Sequence, residues 1–514
     1  MKQDNDGAFM AAYEKLNRKQ KEAVDTIEGP VLVIAGPGTG KTQILTLRIA
    51  NIIRLTDTAP ESILALTFTK SGARAMRERL RSIVGSLAYR VPIYTFHGLC
   101  ERLIHDYPEA YEKIIGGRAA TDLEKVELLE SVLTLPELVL LRPAGALDFY
   151  LRPLRDTISQ MKQENILPND LAQLVATEAA HWLDMPRFHE KGAHKGKERG
   201  EYTKKGGEIE KLQALVLAYR HYEVLLRDRK LYDFDDMIVE TVRVLRERED
   251  IRLQLQELFQ YILADEHQDV NGAQNEILDQ LSSFHSSPNL FVVGDEKQAI
   301  YRFQGASLEN FLYFEEKYPD TKVITLIDNY RSTQTILDAG HELIKVESGP
   351  LLDYRVPLVS AKNDLTTLTL TAYPHQALED TAVIKAVKEA LASGVTPSEI
   401  AVIVRGNRDV EALASTLRKA GVLVDASAQG DILNHPLVII ISELLRAVSP
   451  KVDEPTLARV FQGSYWGISV ADTLRVMSAC SYARPLSAVL ADRAYLETLG
   501  LDAVDRVEQV MTVL

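Results

Sequence analysis

Val31-Leu32-Val33-Ile34-Ala35-Gly36-Pro37-Gly38-Thr39-Gly40-Lys41-Thr42 is the stretch on which the fold turns. Five apolar residues read as a buried strand, and Gln43–Ile53 beyond the glycines reads as a helix. Between them, glycines let backbone N–H groups curl around phosphate oxygens without a Cβ in the way. The helix N-terminus adds positive dipole, Lys41 reaches the outer phosphates, and the Thr42 hydroxyl is placed to hold Mg²⁺. The usual pattern is G-x-x-x-x-G-K-[ST]. Here Ala35 takes its first position, where a glycine is most replaceable because the tight wrapping comes later.

Outward from this loop, short apolar runs alternate with amphipathic helical stretches. They are Ile63–Thr67, Val91–Thr95, Tyr261–Asp265 and Leu290–Gly294. Near-continuous apolar strands separated by helices indicate a parallel sheet buried on both faces. Each run ends in Gly, Thr or Asp, and open α/β sheets bind ligands at the carboxyl ends of their strands. A second series, Val323–Ile327, Leu365–Ala372 and Ile400–Val404, predicts a second α/β domain with helices such as Asp380–Leu391. Residues 111–230 lack the alternation and read as a helical insertion. From about 436 the chain is helical again, up to Val504–Leu514.

Composition narrows the class. The 514 residues carry 59 Lys+Arg against 73 Asp+Glu, a net charge of −14, and 46% are hydrophobic. Several ordinary cores can form, which excludes a disordered or collagen-like chain. No apolar run approaches the ~20 residues that span a bilayer. Cys100 and Cys480 alone make neither a disulfide framework nor a zinc cluster, as suits a reducing cytoplasm. Within the insertion, Arg187–Lys205 holds seven Lys/Arg against three Glu. It reads first as a solvated loop and second as a DNA-facing basic one.

Asp265-Glu266-His267-Gln268-Asp269 stands at the end of the Tyr261–Asp265 run. A strand-end Asp beside a phosphate loop can organise Mg²⁺, and Glu266 can orient and deprotonate an attacking water. His267, with no Cys/His cluster near it, reads as a packing side chain. Asp233-Phe234-Asp235-Asp236 is equally well explained as the start of a helix.

Further segments make the pattern specific: Leu16-Asn17-Arg18-Lys19-Gln20, Leu66-Thr67-Phe68-Thr69-Lys70, Thr95-Phe96-His97-Gly98, Gly294–Ala306 and Asn329-Tyr330-Arg331-Ser332. In this order and spacing, the chain resembles the UvrD/Rep family of superfamily 1 DNA helicases. The resemblance implies a P-loop NTPase with two RecA-like parallel-sheet domains carrying helical insertions. The first would comprise 1–110 and 230–320 around the 111–229 insertion. The second would cover 321–435, with 436–514 opening its own insertion. ATP would lie between the two and single-stranded DNA across their tops.

The same likeness suggests roles. Gln20 would read the adenine edge, Tyr330 would stack on the base, and Arg331 from the second domain would meet the γ-phosphate. Gln298 would sense that phosphate or hold the lytic water. Phe68, Tyr301 and Phe303 are candidate base-stacking platforms. Thr67, Thr95 and His97 would contact phosphates or sugars.

Two positions depart from the family pattern: Gln43 stands where an adenine-sandwiching Arg is common, and Gln304 where an Arg is common, with Arg302 nearby. Nothing after Ser332 matches the family's last two motifs, so the chain is expected to stop inside the second insertion. The expectation is an ATP- and Mg²⁺-dependent 3′→5′ helicase or translocase. It would act on single-stranded DNA and its junctions with duplex, alongside repair or recombination proteins. Its rivals are the helicase part of a nuclease-helicase and an ATP-responsive DNA-binding scaffold without turnover.

Overall fold

The computed structural model describes residues 2–143, 149–191, 195–299, 310–345, 356–364, 366–426, 435–448 and 453–513. The chain forms two compact units, Met1–Leu368 and Thr369–Leu514.

The first unit is built on a six-stranded sheet. Its members are β1 (Val31–Ala35), β2 (Ile63–Thr67) and β3 (Ile93–Thr95). A short pair, β4 (Arg118–Ala119) and β5 (Leu231–Tyr232), stands apart from it. The sheet is completed by β6 (Tyr261–Ala264), β7 (Leu290–Gly294) and β8 (Lys322–Leu326). The order is β3-β2-β6-β7-β1-β8, and every pairing is parallel.

Strand periodicity divides the apolar residues between two cores. Val31, Val33, Ile63, Ala65, Leu263 and Val293 face α1 (Lys2–Tyr13), α2 (Arg18–Asp25), α3 (Lys41–Leu55) and α4 (Lys70–Val84). Leu32, Ile34, Leu64, Leu66, Ile262 and Val292 face the opposite layer, which begins with α5 (Phe96–Asp106).

The helical insertion follows as α6 (Asp122–Leu133), α7 (Leu151–Gln163), α8 (Pro168–Asp184) and α9 (Gly200–Asp228), with its own core around Leu128, Val132, Leu154 and Tyr219. Pairing of β4 with β5 clips the entry of this insertion to its exit. The chain then returns to the opposite layer as α10 (Asp236–Glu247), α11 (Glu249–Leu258), α12 (Gly272–Ser282) and α13 (Asn310–Lys317). In the basic stretch of the insertion, Phe188 bridges to Glu198, and Arg187 pairs with Glu198 at 2.8 Å. Part of that charge is therefore neutralised locally; residues 192–194 lie outside the described residues.

The first sheet takes one strand more than expected. The run assigned to the start of a second domain forms β8, pairing with β1 over five residues and burying Ile324 and Leu326. Residue 321, where that domain is expected to begin, lies within the first compact unit. Tyr330 and Arg331, just beyond β8, belong to the same unit as the phosphate loop. A two-residue parallel pair follows, β9 (Asp328–Asn329) with β10 (Val359–Ser360).

In the second unit, two helices, α14 (Gln376–Ala392) and α15 (Asn407–Lys419), share a small core of Val387, Leu417 and Val422. Helices between Glu454 and Val513 form another around Leu457, Phe461, Val476 and Val507. The strands expected over 365–372 and 400–404 form no ladder among the described residues, and residue 365 lies outside them. Alternation alone makes no strand: without a neighbour the backbone groups stay with water. Leu370 is 99% exposed and Ile403 92% exposed.

Candidate nucleotide-binding site

At the carboxyl end of β1 the chain turns through Gly36–Gly40 into α3. Gly38 and Gly40 both take positive φ, at 72° and 91°. A Cβ on Gly38 would meet Arg331 Cβ at 2.6 Å, and one on Gly40 would meet Gln20 Nε2 at 2.9 Å. Side chains are excluded at both points by conformation and by space together. Thr39 is buried, and its hydroxyl donates to the Gly36 carbonyl at 2.8 Å.

Two neighbours brace this loop. Gln20 is 2% exposed; its amide nitrogen donates to the Thr39 carbonyl at 2.8 Å and its oxygen accepts from Asn17 N–H at 3.0 Å. The side chain expected to face adenine is thus engaged beneath the loop, because it also serves the capping box at the start of α2. From the other side, fully buried Asn329 donates to the Pro37 carbonyl. Its oxygen accepts from the N–H groups of Arg331 at 2.9 Å and Ser332 at 2.7 Å. Tyr330 N–H donates to the Gly38 carbonyl at 3.0 Å, and its hydroxyl accepts from Asn17 Nδ2 at 3.0 Å.

A cleft of about 370 Å³ opens against this arrangement. Pro37, Gly38, Gly40, Lys41, Thr42 and Gln43 line it from the loop side, facing Arg79, Glu266, Gln298, Tyr330 and Arg331. Four separated segments expected to meet at a triphosphate therefore do share one cavity. Arg79 is an addition: nothing in its surroundings in sequence distinguishes it from the other arginines of α4.

The carboxylates come from the end of β6. Asp265 N–H is still in the sheet, donating to the Leu66 carbonyl at 2.9 Å, and its side chain accepts from Glu266 N–H at 3.0 Å. Burial, then the neighbouring Glu266, push the Asp265 carboxyl up to about 7 against the pull of Lys41. Glu266 sits in the left-handed region, at φ 50° and ψ 45°. For a residue with a Cβ this costs roughly 1–2 kcal/mol, the kind of strain that collects at functional sites. The turn aims its carboxylate at Lys41, with Nζ to Oε2 at 2.6 Å. Gln268 Nε2 donates to the same oxygen at 2.8 Å, while its own oxygen accepts from Asp295 N–H at 2.9 Å. Gln298 Nε2 donates to Asp295 Oδ2 at 2.7 Å. A continuous polar chain thus runs from Gln298 through Asp295 and Gln268 to Glu266. Buried His267 lies edge-on to Phe314.

Hard oxygen donors from Thr42 and Asp265, beside a loop built for phosphates, suit Mg²⁺. Among the described residues, the carboxylate group Glu223, Asp233 and Asp236 also lies close enough to hold a cation. Its centre is taken by an ammonium, that of Lys162.

The residues singled out for DNA lie on the same carboxyl edge, beyond β2 and β3. Thr67 and Thr95 are partners in register. Thr95 caps α5 by accepting from Gly98 N–H at 3.1 Å, and Phe68 is half-buried. His97 stacks on Phe234 with ring centroids 3.8 Å apart and planes 13° from parallel. Burial holds its imidazole below the usual range, against the opposing charge of Asp235. Tyr301 and Phe303, with Arg302 and Gln304, lie outside the described residues.

Residues 16–319 match the UvrD/REP helicase N-terminal domain, and residues 324–494 match the UvrD-like helicase C-terminal domain. The ATP-dependent DNA helicase PcrA of Staphylococcus epidermidis is 29% identical over 470 residues, covering 91% of this chain and 58% of that protein. PcrA of Staphylococcus aureus is 33% identical over 338 residues, covering 66% of this chain and 41% of that protein. The chain thus spans less than two thirds of these relatives' length. Among the described residues, no helix is long and apolar enough to cross a membrane.

Proposed function

The chain belongs to the UvrD/REP helicase family, and on that premise we propose that it is an ATP-dependent DNA translocase of the 3′→5′ helicase type. Its track would be single-stranded DNA and the junctions of single with double strands. Repair, recombination or replication restart, with their attendant proteins, are the settings that suit this chemistry, in the cytoplasm. The observation that carries the reading is the single cleft lined by Lys41, Glu266, Gln298, Tyr330 and Arg331.

In that reading Lys41 exchanges its bond to Glu266 for the β- and γ-phosphates, which frees Glu266 to orient and deprotonate the attacking water. Thr42 and Asp265 would hold Mg²⁺, which would supply neutralisation of phosphate charge. Arg331 meets the γ-phosphate, and Tyr330 stacks on the base. Gln20 reads the adenine edge by giving up its bond to Thr39. Gln298 reports the γ-phosphate along the Asp295–Gln268 chain. Thr67, Phe68, Thr95, His97, Tyr301 and Phe303 grip and release the DNA strand, whose bases stack in a sequence-tolerant way.

The test is phosphate release with and without oligo-dT, in the parent chain and in Glu266→Gln. Stimulation by DNA that vanishes in the variant is the expected outcome. Turnover at background level in both, with nucleotide-sensitive DNA binding, would instead identify a scaffold.

A further inference from the structure

The helical insertion is fastened to the first unit by a buried ionic cluster that the nucleotide chemistry does not use. Lys162, at the end of α7, is 1% exposed. Its ammonium lies 2.6 Å from Glu223 Oε1, 2.6 Å from Asp233 Oδ2 and 2.8 Å from Asp236 Oδ1. Lys113 adds a second ammonium, 2.9 Å from Glu223 Oε2 and 2.8 Å from Asp236 Oδ1. Three carboxylates and two ammonium groups thus share a closed site. Asp236 is held well below the usual carboxylate range by the two lysines, despite its burial.

The two aspartates also bond each other's backbone. Asp233 N–H donates to Asp236 Oδ2 at 2.9 Å, and Asp236 N–H donates to Asp233 Oδ1 at 3.0 Å. Lys162 therefore grips a closed four-residue turn at both ends. On either side of Lys162 along α7, the Ser159 hydroxyl donates to Asp235, and Gln163 Nε2 donates to Asp235 Oδ1 at 3.3 Å. The remaining residue of the turn is Phe234. More than half exposed, it is the ring stacked on His97.

We propose that Lys162 is a positioning residue: by clamping the Asp233–Asp236 turn to α7, it holds Phe234 against His97 on the edge beyond β3. The insertion and the strand-end residues then move as one piece. The clamp rests on the translocase reading only in that His97 and its neighbours face DNA there. The stack itself is a feature of the fold and can be followed without DNA.

Two measurements in Lys162→Met, compared with Lys162→Arg, decide it. The first is the His97 imidazole titration by NMR, assigned with His97→Asn. Loosening the stack should move it back toward the ordinary histidine value. The second is the oligo-dT concentration that half-stimulates ATP hydrolysis, which should rise about 10-fold, while turnover without DNA and the KM for ATP stay unchanged. Lys162→Arg should recover part of both effects. Should Lys162→Met fail to fold, the Ser159→Ala/Gln163→Ala double variant leaves the buried charges paired and must show the same two shifts in weaker form. A folded variant with both readouts at parental values overturns the clamp. Absence of DNA stimulation in the parent chain would overturn the translocase reading alone, and the His97 titration would still decide the clamp.

Discussion

Lys41 and Glu266, one from the loop after β1 and one from the turn after β6, meet at 2.6 Å across the nucleotide cleft. The cation meant for phosphate and the carboxylate meant for water neutralise each other when neither is engaged. Removing the carboxylate charge should therefore separate binding from chemistry. Glu266→Gln is expected to bind ATP at least as well as the parent and to lose about 10²–10⁴-fold in DNA-stimulated turnover. Fluorescent-nucleotide titration beside phosphate release checks both halves.

Asn329 is the buried peg joining the phosphate loop to the Tyr330–Arg331 segment. Asn329→Ala would leave the Pro37 carbonyl and two N–H groups without their partner. A loss of about 1–3 kcal/mol in stability follows, together with a raised KM for ATP as Arg331 loses its anchor. Urea denaturation and steady-state kinetics report the two effects separately.

The ionic cluster around Asp236 predicts an unequal penalty. Asp236→Ala leaves Lys162 and Lys113 buried with fewer carboxylates, and breaking a buried pair this way costs about 3–5 kcal/mol. Exposed pairs such as Arg90 with Glu61 should move the denaturation midpoint far less when cut, because water screens them. Denaturation midpoints of the two alanine variants measured side by side decide whether burial makes that difference.

His97 gives a pH signature. Its folded-state pKa lies below the unfolded value, so above the ordinary imidazole range both states are neutral and its contribution is complete. As pH falls through that range, the unfolded chain takes up a proton that the folded chain does not, and stability drops. Asp235 opposes this loss and Phe234 covers the ring. The parent chain should lose more stability than His97→Asn between about pH 7.5 and about pH 5, either side of the ordinary imidazole value, a comparison made by urea denaturation at each pH.

Gln43 lines the cleft, and in the proposed reading an arginine there would cover the base. Gln43→Arg should lower the KM for ATP by about 2–5-fold through stacking with the purine, and it should do so opposite Tyr330. No change in KM would mean that the base lies elsewhere.

Local features were legible in the sequence to the extent that their causes are local. The strand, loop and helix around Lys41 follow from apolar run, glycines and helix start. The carboxylate pair follows from its place at a strand end. Arg79, Asn329 and Lys162 were not legible as site or clamp residues, because what each touches depends on chain brought near by the sheet. The Asp233–Asp236 stretch does begin a helix, but its charges answer lysines about 70 and 120 residues away in sequence (Lys162 and Lys113). The later β-like runs failed for a matching reason. A period of two describes a face, whereas a ladder needs a neighbour, and among the described residues of these runs only β8 found one in the large sheet.

The split of alternate strand residues between two cores has a consequence for chain length. Dropping the codon for Leu32 within β1 would turn Val33 over to the layer now filled by Leu32 and Ile34. Every atom downstream would also arrive one pleat early, rotating the glycine turn away from Glu266. Insertions and deletions should therefore be ruinous inside the strands yet tolerated at exposed turn residues such as Lys195–Lys197, which a deletion scan would display as a map of silent and ruinous sites.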